Sequence, residues 1–138
     1  MDKEQFENTI KQAVSAIPRV VRENMHNIAF VVEDDPRAAR NAEHVMKSRG
    51  ILLGLYQGVP LPKRSSYYSG VLPDKITIFK NSIESLFGPD QEKIRKKIIE
   101  VVHHEVGHYL GMDETTVRSW EKSRQLNKKT SVNIDKNK

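Results

Sequence analysis

Residues 104–114 read His104-Glu105-Val106-Gly107-His108-Tyr109-Leu110-Gly111-Met112-Asp113-Glu114, an HExxH motif extended to HExxHxxGxxE. On an α-helix each residue turns about 100°, so His104 and His108 lie roughly 40° apart, one turn above the other. Two imidazoles at that spacing reach one Zn²⁺. Glu105 is rotated about 100° from His104. It touches a metal-activated water from the edge of the face without occupying a coordination position. Two His ligands, a carboxylate base and an open position are the parts of a zinc hydrolase.

The preceding residues predict the helix that this geometry needs. Asp90 follows Gly88-Pro89 and is a good N-cap, with Glu92 in the first turn, where the helix dipole favours an acid. Ile94, Ile98, Ile99, Val101, Val102, Val106, Tyr109 and Leu110 fill one broad apolar side of the wheel, and Lys93, Lys96, Glu100 and Gly107 the other. Gly111 stops the helix, because glycine adopts the left-handed conformation without a steric penalty. The chain then turns, and Glu114 and Asp113 are both placed to swing back as the third metal ligand. Asp113 also reads as the N-cap of a short helix at Thr115-Thr116-Val117. His103 falls about 100° from His104, on the polar side, and reads as a solvated histidine. His26 and His44 read as surface residues.

The rest of the chain places this helix in an α+β fold. Phe6, Ile10, Ala13, Val14 and Ile17 have helical spacing and predict a first helix over 3–16, broken by Pro18 and followed by a short helix over 19–24. Ile28 to Val32 is an apolar run that reads as a buried strand ending at Glu33-Asp34-Asp35. Asp35-Pro36 starts a polar helix from Arg37 to about Ser48, ended by Gly50. Ile51 to Tyr56 and Ile76 to Phe79 are further strands. Between them lies an irregular polar loop that contains Tyr67 and Tyr68. The expected architecture is a small mixed β-sheet packed against the HExxH helix. The strand Ile76 to Phe79 is a candidate edge that an extended peptide pairs with.

Composition narrows the classes of function. A chain of 138 residues supports one core. Residues 1–120 form the expected domain, and 121–138 a basic, disordered tail. Residues 119–138 hold six Lys/Arg against two acids, so much of the net charge of +5 sits there. No aromatic residues interleave with the basic ones, so nucleic acid is not the expected partner. No apolar run approaches 18 residues, and no leader is visible, so a cytoplasmic protein without membrane contact is expected. With no cysteine, thiolate zinc sites and disulfides are excluded, and a metal must be held by His and carboxylate. Nothing in the sequence sets the oligomeric state.

Three segments carry a more specific resemblance. Gly54-Leu55-Tyr56-Gln57-Gly58-Val59-Pro60-Leu61, Val71-Leu72-Pro73-Asp74-Lys75-Ile76-Thr77-Ile78-Phe79 and Val102-His103-His104-Glu105-Val106-Gly107-His108-Tyr109-Leu110-Gly111 resemble the small bacterial zincin-like metallopeptidase family. The strand from Ile28 to Asp35 matches too, and the likeness covers about residues 4–120 in order and spacing. It implies a minimal zincin fold, a zinc ion and peptidase activity on a peptide or protein. By position, His104 and His108 are the implied ligands, Glu105 the base, and Glu114 the third ligand, where the family usually has Asp. The larger metzincins place a methionine turn beneath the metal. This chain has no methionine after Met112.

Peptide hydrolysis often needs a second electrophile to steady the transition state. Tyr67, Tyr68 and His103 are the donors available. The alternative to a peptidase is a zinc-binding scaffold or regulatory protein with one specific partner. Glu105 favours the hydrolase, because a site kept only for structure needs no base.

Overall fold

Asp2 and Gln5 lock the start of the first helix. The Asp2 carboxylate accepts from Gln5 N–H at 2.8 Å, and Gln5 Oε1 accepts from Asp2 N–H at 2.8 Å. This reciprocal capping box satisfies two donors that the first turn otherwise leaves open. In the computed structural model, which describes residues 1–23, 25–36, 45–58, 73–111 and 115, helix α1 spans Lys3–Ser15 and buries Phe6, Ile10 and Ala13 on one stripe. After Pro18, α2 covers Arg19–Glu23.

Four strands follow: β1 (Ile28–Glu33), β2 (Val45–Ser48), β3 (Ile51–Gln57) and β4 (Asp74–Phe79). They form one mixed sheet in the order β1-β4-β3-β2. β1 runs parallel to β4, and the other two pairings are antiparallel. The expected α+β fold with a small mixed sheet is therefore present.

Three local expectations need correction. β4 is not an edge. It is hydrogen-bonded to β1 on one side and β3 on the other, and Ile76, Thr77, Ile78 and Phe79 are all buried. β1, read as buried, is one of the two outer strands, and Ile28 to Val32 are only half-buried. Finally, the polar helix expected to reach Ser48 does not, because residues 45–48 are a strand. Arg49 and Gly50 have φ of 52° and 78° between Ser48 and its partner Ile51. Positive φ at both central residues is what a type I′ hairpin turn requires. Gly50 thus turns a hairpin rather than ending a helix. Residues 37–44, including His44, lie outside the described residues.

A further helix, α3 (Lys80–Phe87), leaves β4 with no intervening loop. Ile83 is buried, Leu86 and Phe87 pack beside it, and Lys80 pairs with Glu84 at 2.8 Å. Gly88, at φ 55°, ends it. Asp90 then caps α4 (Gln91–Tyr109), its carboxylate accepting from Lys93 N–H at 3.1 Å. Gly111 follows the helix at φ 91°, in the left-handed region expected of it.

Helix α4 crosses the molecule between α1 on one side and β3 and β4 on the other. Ile94, Ile98, Val101, Val102, Val106 and Tyr109 join Phe6, Ile10, Leu53, Tyr56, Ile76 and Ile78 in one core. Gly107, placed by periodicity on the polar side, is buried, because α4 is covered on more than one face. No helix among the described residues is long and apolar enough to cross a membrane.

Candidate metal centre

The last two turns of α4 carry the motif inward. His104 is 3% exposed, Glu105 0% and His108 4%. These values exclude a pair of histidines on a solvated helix face. They also identify the site as costly. Ionisable groups taken out of water lose several kcal/mol of solvation each unless charges, hydrogen bonds or a metal replace it. The two rings stand 5.0 Å apart between centroids at 73° to one another, one turn apart as the spacing dictates.

The space that admits Glu105 comes from β3. Gly54 sits in mid-strand, paired with Ile78 of β4 and Met46 of β2. A Cβ built on Gly54 would overlap Val101 Cγ1 and lie 3.4 Å from Glu105 Cγ and 3.5 Å from Glu105 Oε1. Only a residue without a side chain lets α4 approach the sheet this closely. The β2–β3 register shifts next to this point, between Met46 and Lys47. An interior strand glycine beside a bulge is a known sign of close backbone approach. In the sequence, the signal for this approach is the glycine inside the apolar run Ile51-Leu52-Leu53-Gly54-Leu55-Tyr56.

Buried imidazoles one turn apart, with a carboxylate held in a glycine-cleared cradle, form a donor set that fits Zn²⁺ in a hydrolytic site. Zinc needs a third protein donor. Among the described residues no three His, Asp or Glu side chains converge on a common point. The two acids expected to supply that donor, Glu114 and Asp113, lie outside the described residues, as do Tyr67 and Tyr68.

His103 is placed differently from its sequence reading. Its Nε2 lies 2.9 Å from Ala13 O of α1, in the half-buried seam between α1 and α4. The helix face that periodicity marks as polar meets another helix here instead of water. Glu105 faces β3, so His103 points to a different neighbour from the motif carboxylate. His26 is exposed, as expected, but its backbone is held by Tyr109: Tyr109 Oη accepts from His26 N–H at 2.9 Å and donates to His26 O at 3.1 Å. A groove between α1 and β1, floored by Ile10, Val14, Phe30 and Val32, touches none of the three motif residues.

A family model described as zincin-like metallopeptidase matches residues 25–123, from just before β1 to beyond the motif. No curated protein matches the chain.

Proposed function

Because the chain belongs to the zincin-like metallopeptidase family, we propose that it is a zinc-dependent peptidase with His104 and His108 as metal ligands, Glu105 as general base and Glu114 completing the shell. The observation that carries this reading is the full burial of Glu105 beside the two imidazoles, in space cleared by Gly54. A carboxylate that only decorated a helix would stay in water. A zinc site of purely structural use has all positions filled and no need of a neighbouring base.

When bound, zinc supplies a Lewis acid that polarises the scissile carbonyl and acidifies water. The chain supplies the proton traffic. A Glu105 oxygen takes the proton from the attacking water and delivers it to the leaving amine nitrogen. The burial of Glu105, with Val101 at the same Gly54 cradle, keeps bulk water away and strengthens these charge interactions. Of the two outer strands, β2 lies nearer the motif, since its Met46 pairs with Gly54. We therefore place an extended substrate against β2, where backbone hydrogen bonds add a strand to the sheet.

The test is digestion of a peptide library by the purified protein, with and without a strong chelator. Cleavage that stops on chelation and returns with zinc is the expected result. N-methylation of backbone amides flanking the scissile bond should slow cleavage of the best peptide. Peptides cut equally well after N-methylation at every flanking position would remove the β2 assignment. Bound zinc with no cleavage of any peptide would favour the scaffold reading.

A further inference from the structure

Apart from Glu105, the described residues contain one other fully buried acid, Asp74, 1% exposed. It opens β4, where its N–H donates to Asn27 O at 2.8 Å. Tyr56 Oη donates to Asp74 Oδ2 at 2.6 Å, and both groups are buried. Gly58, at φ 149°, lets the backbone after β3 close directly over the Asp74 carboxylate, where a Cβ would overlap it. A Phe and a leucine would fill the same volume without burying a charge, so packing alone does not explain the pair. What a charge-assisted hydrogen bond adds is direction.

That direction is transmitted to α4. Gly54 and Tyr56 are two residues apart on β3 and share its α4-facing side. Gly54 meets Glu105, and Tyr56 meets Tyr109 one helical turn later, edge to face, with ring centroids 6.0 Å apart at 82°. Tyr109 directly follows His108, and its hydroxyl is tied to both backbone groups of His26. The last turn of a helix has fewer onward hydrogen bonds than its interior; that of α4 is closed by Leu110 N–H donating to Val106 O and Gly111 N–H to His108 O, both at 2.9 Å. His108 sits in that turn. A small rotation there re-aims its ring relative to His104, which lies deeper in the helix.

We propose that Tyr56 and Asp74 are positioning residues of the metal site: their hydrogen bond fixes the Tyr56 ring, which fixes Tyr109 and so the turn that aims His108. This inference rests on the zinc-site reading above. It places the control of metal geometry in the sheet, at the β3–β4 end, rather than only in the helix that bears the ligands.

The test uses the cobalt-substituted protein. Its visible d–d spectrum reports ligand geometry, and competition with a chromophoric chelator gives the cobalt Kd. Tyr56→Phe keeps the ring against Tyr109 and removes only the hydroxyl. It is expected to change the d–d band and to weaken cobalt binding several-fold, up to about tenfold, the lower end of the scale seen when groups bonded directly to metal ligands are lost. Asp74→Asn retains an oxygen acceptor for Tyr56 and is expected to stay closer to wild type than Asp74→Leu in both readouts. A lower melting temperature for Tyr56→Phe with unchanged Kd and spectrum would reduce the pair to packing and overturn the proposal alone. Failure of the wild type to bind cobalt or zinc would overturn it together with the peptidase reading.

Discussion

Glu105→Gln is expected to leave zinc bound and to slow peptide cleavage by about 10²–10⁴, the usual contribution of a positioned general base. That range corresponds to roughly 3–5 kcal/mol of barrier. The substitution nearly preserves shape, so the fit of residue 105 against Gly54 and the aim of both histidines are retained. Only the ability to accept a proton is lost. The comparison to make is kcat/KM for one good peptide, with zinc content measured on the same samples. Cleavage by the variant at the wild-type rate would assign the base to another residue. Loss of zinc in step with loss of cleavage would mean that Glu105 binds metal instead of protons.

Gly54→Ala tests the cradle, and its sign is informative. In a strand with open space, alanine is more favourable than glycine by about 0.5–1 kcal/mol, because it restricts the unfolded chain. Here the added Cβ overlaps Val101 Cγ1 and crowds Glu105. Overpacking of this kind costs about 1–3 kcal/mol, so urea unfolding should show net destabilisation. Val101→Ala removes the atom that the new methyl meets. The double variant is therefore expected to be more stable than the sum of the two single losses by about 0.5–3 kcal/mol, the scale of coupling between residues in contact. Additivity within roughly 0.5 kcal/mol would show that α4 and β3 do not touch at this point in solution. Weakened zinc binding in Gly54→Ala, relieved in the double variant, would link the cradle to the site.

The motif helix was legible because its signals are local. Asp90 as N-cap, the apolar spacing from Ile94 to Tyr109, and Gly111 after the last turn are each readable within a few residues, and each is found where it was expected. The strands at Ile28, Ile51 and Ile76 were legible as apolar runs. Their order was not, because strand pairing is decided between segments far apart in the chain. β4 was a candidate edge for pairing with a peptide, yet it lies between β1 and β3. β2 was hidden because Val45-Met46-Lys47-Ser48 is short and follows a strong helix-start signal at Asp35-Pro36, and its turn uses Arg49-Gly50 rather than Asn-Gly. Helix α3 is only eight residues long, too few for a period to stand out.

The site shows the same division. His104, Glu105 and His108 share one helix, as their spacing requires, and all three are buried. His103 and Gly107 were misplaced because a helical wheel does not know what packs against its polar side. Here α1 meets that seam, and its Ala13 carbonyl holds His103. Gly54, Tyr56 and Asp74 depend on contacts between β3, β4 and α4. In the sequence only the glycine inside a strand hinted at them.

The most direct test of the zinc centre is metal content by atomic spectroscopy, comparing wild-type protein with His104→Ala and His108→Ala after identical purification and dialysis against trace zinc. The account predicts about one zinc per chain in the wild type and little or none in either variant, with both variants still folded by circular dichroism. Wild-type protein without zinc, or variants that keep it in full, would contradict the assignment of these two histidines.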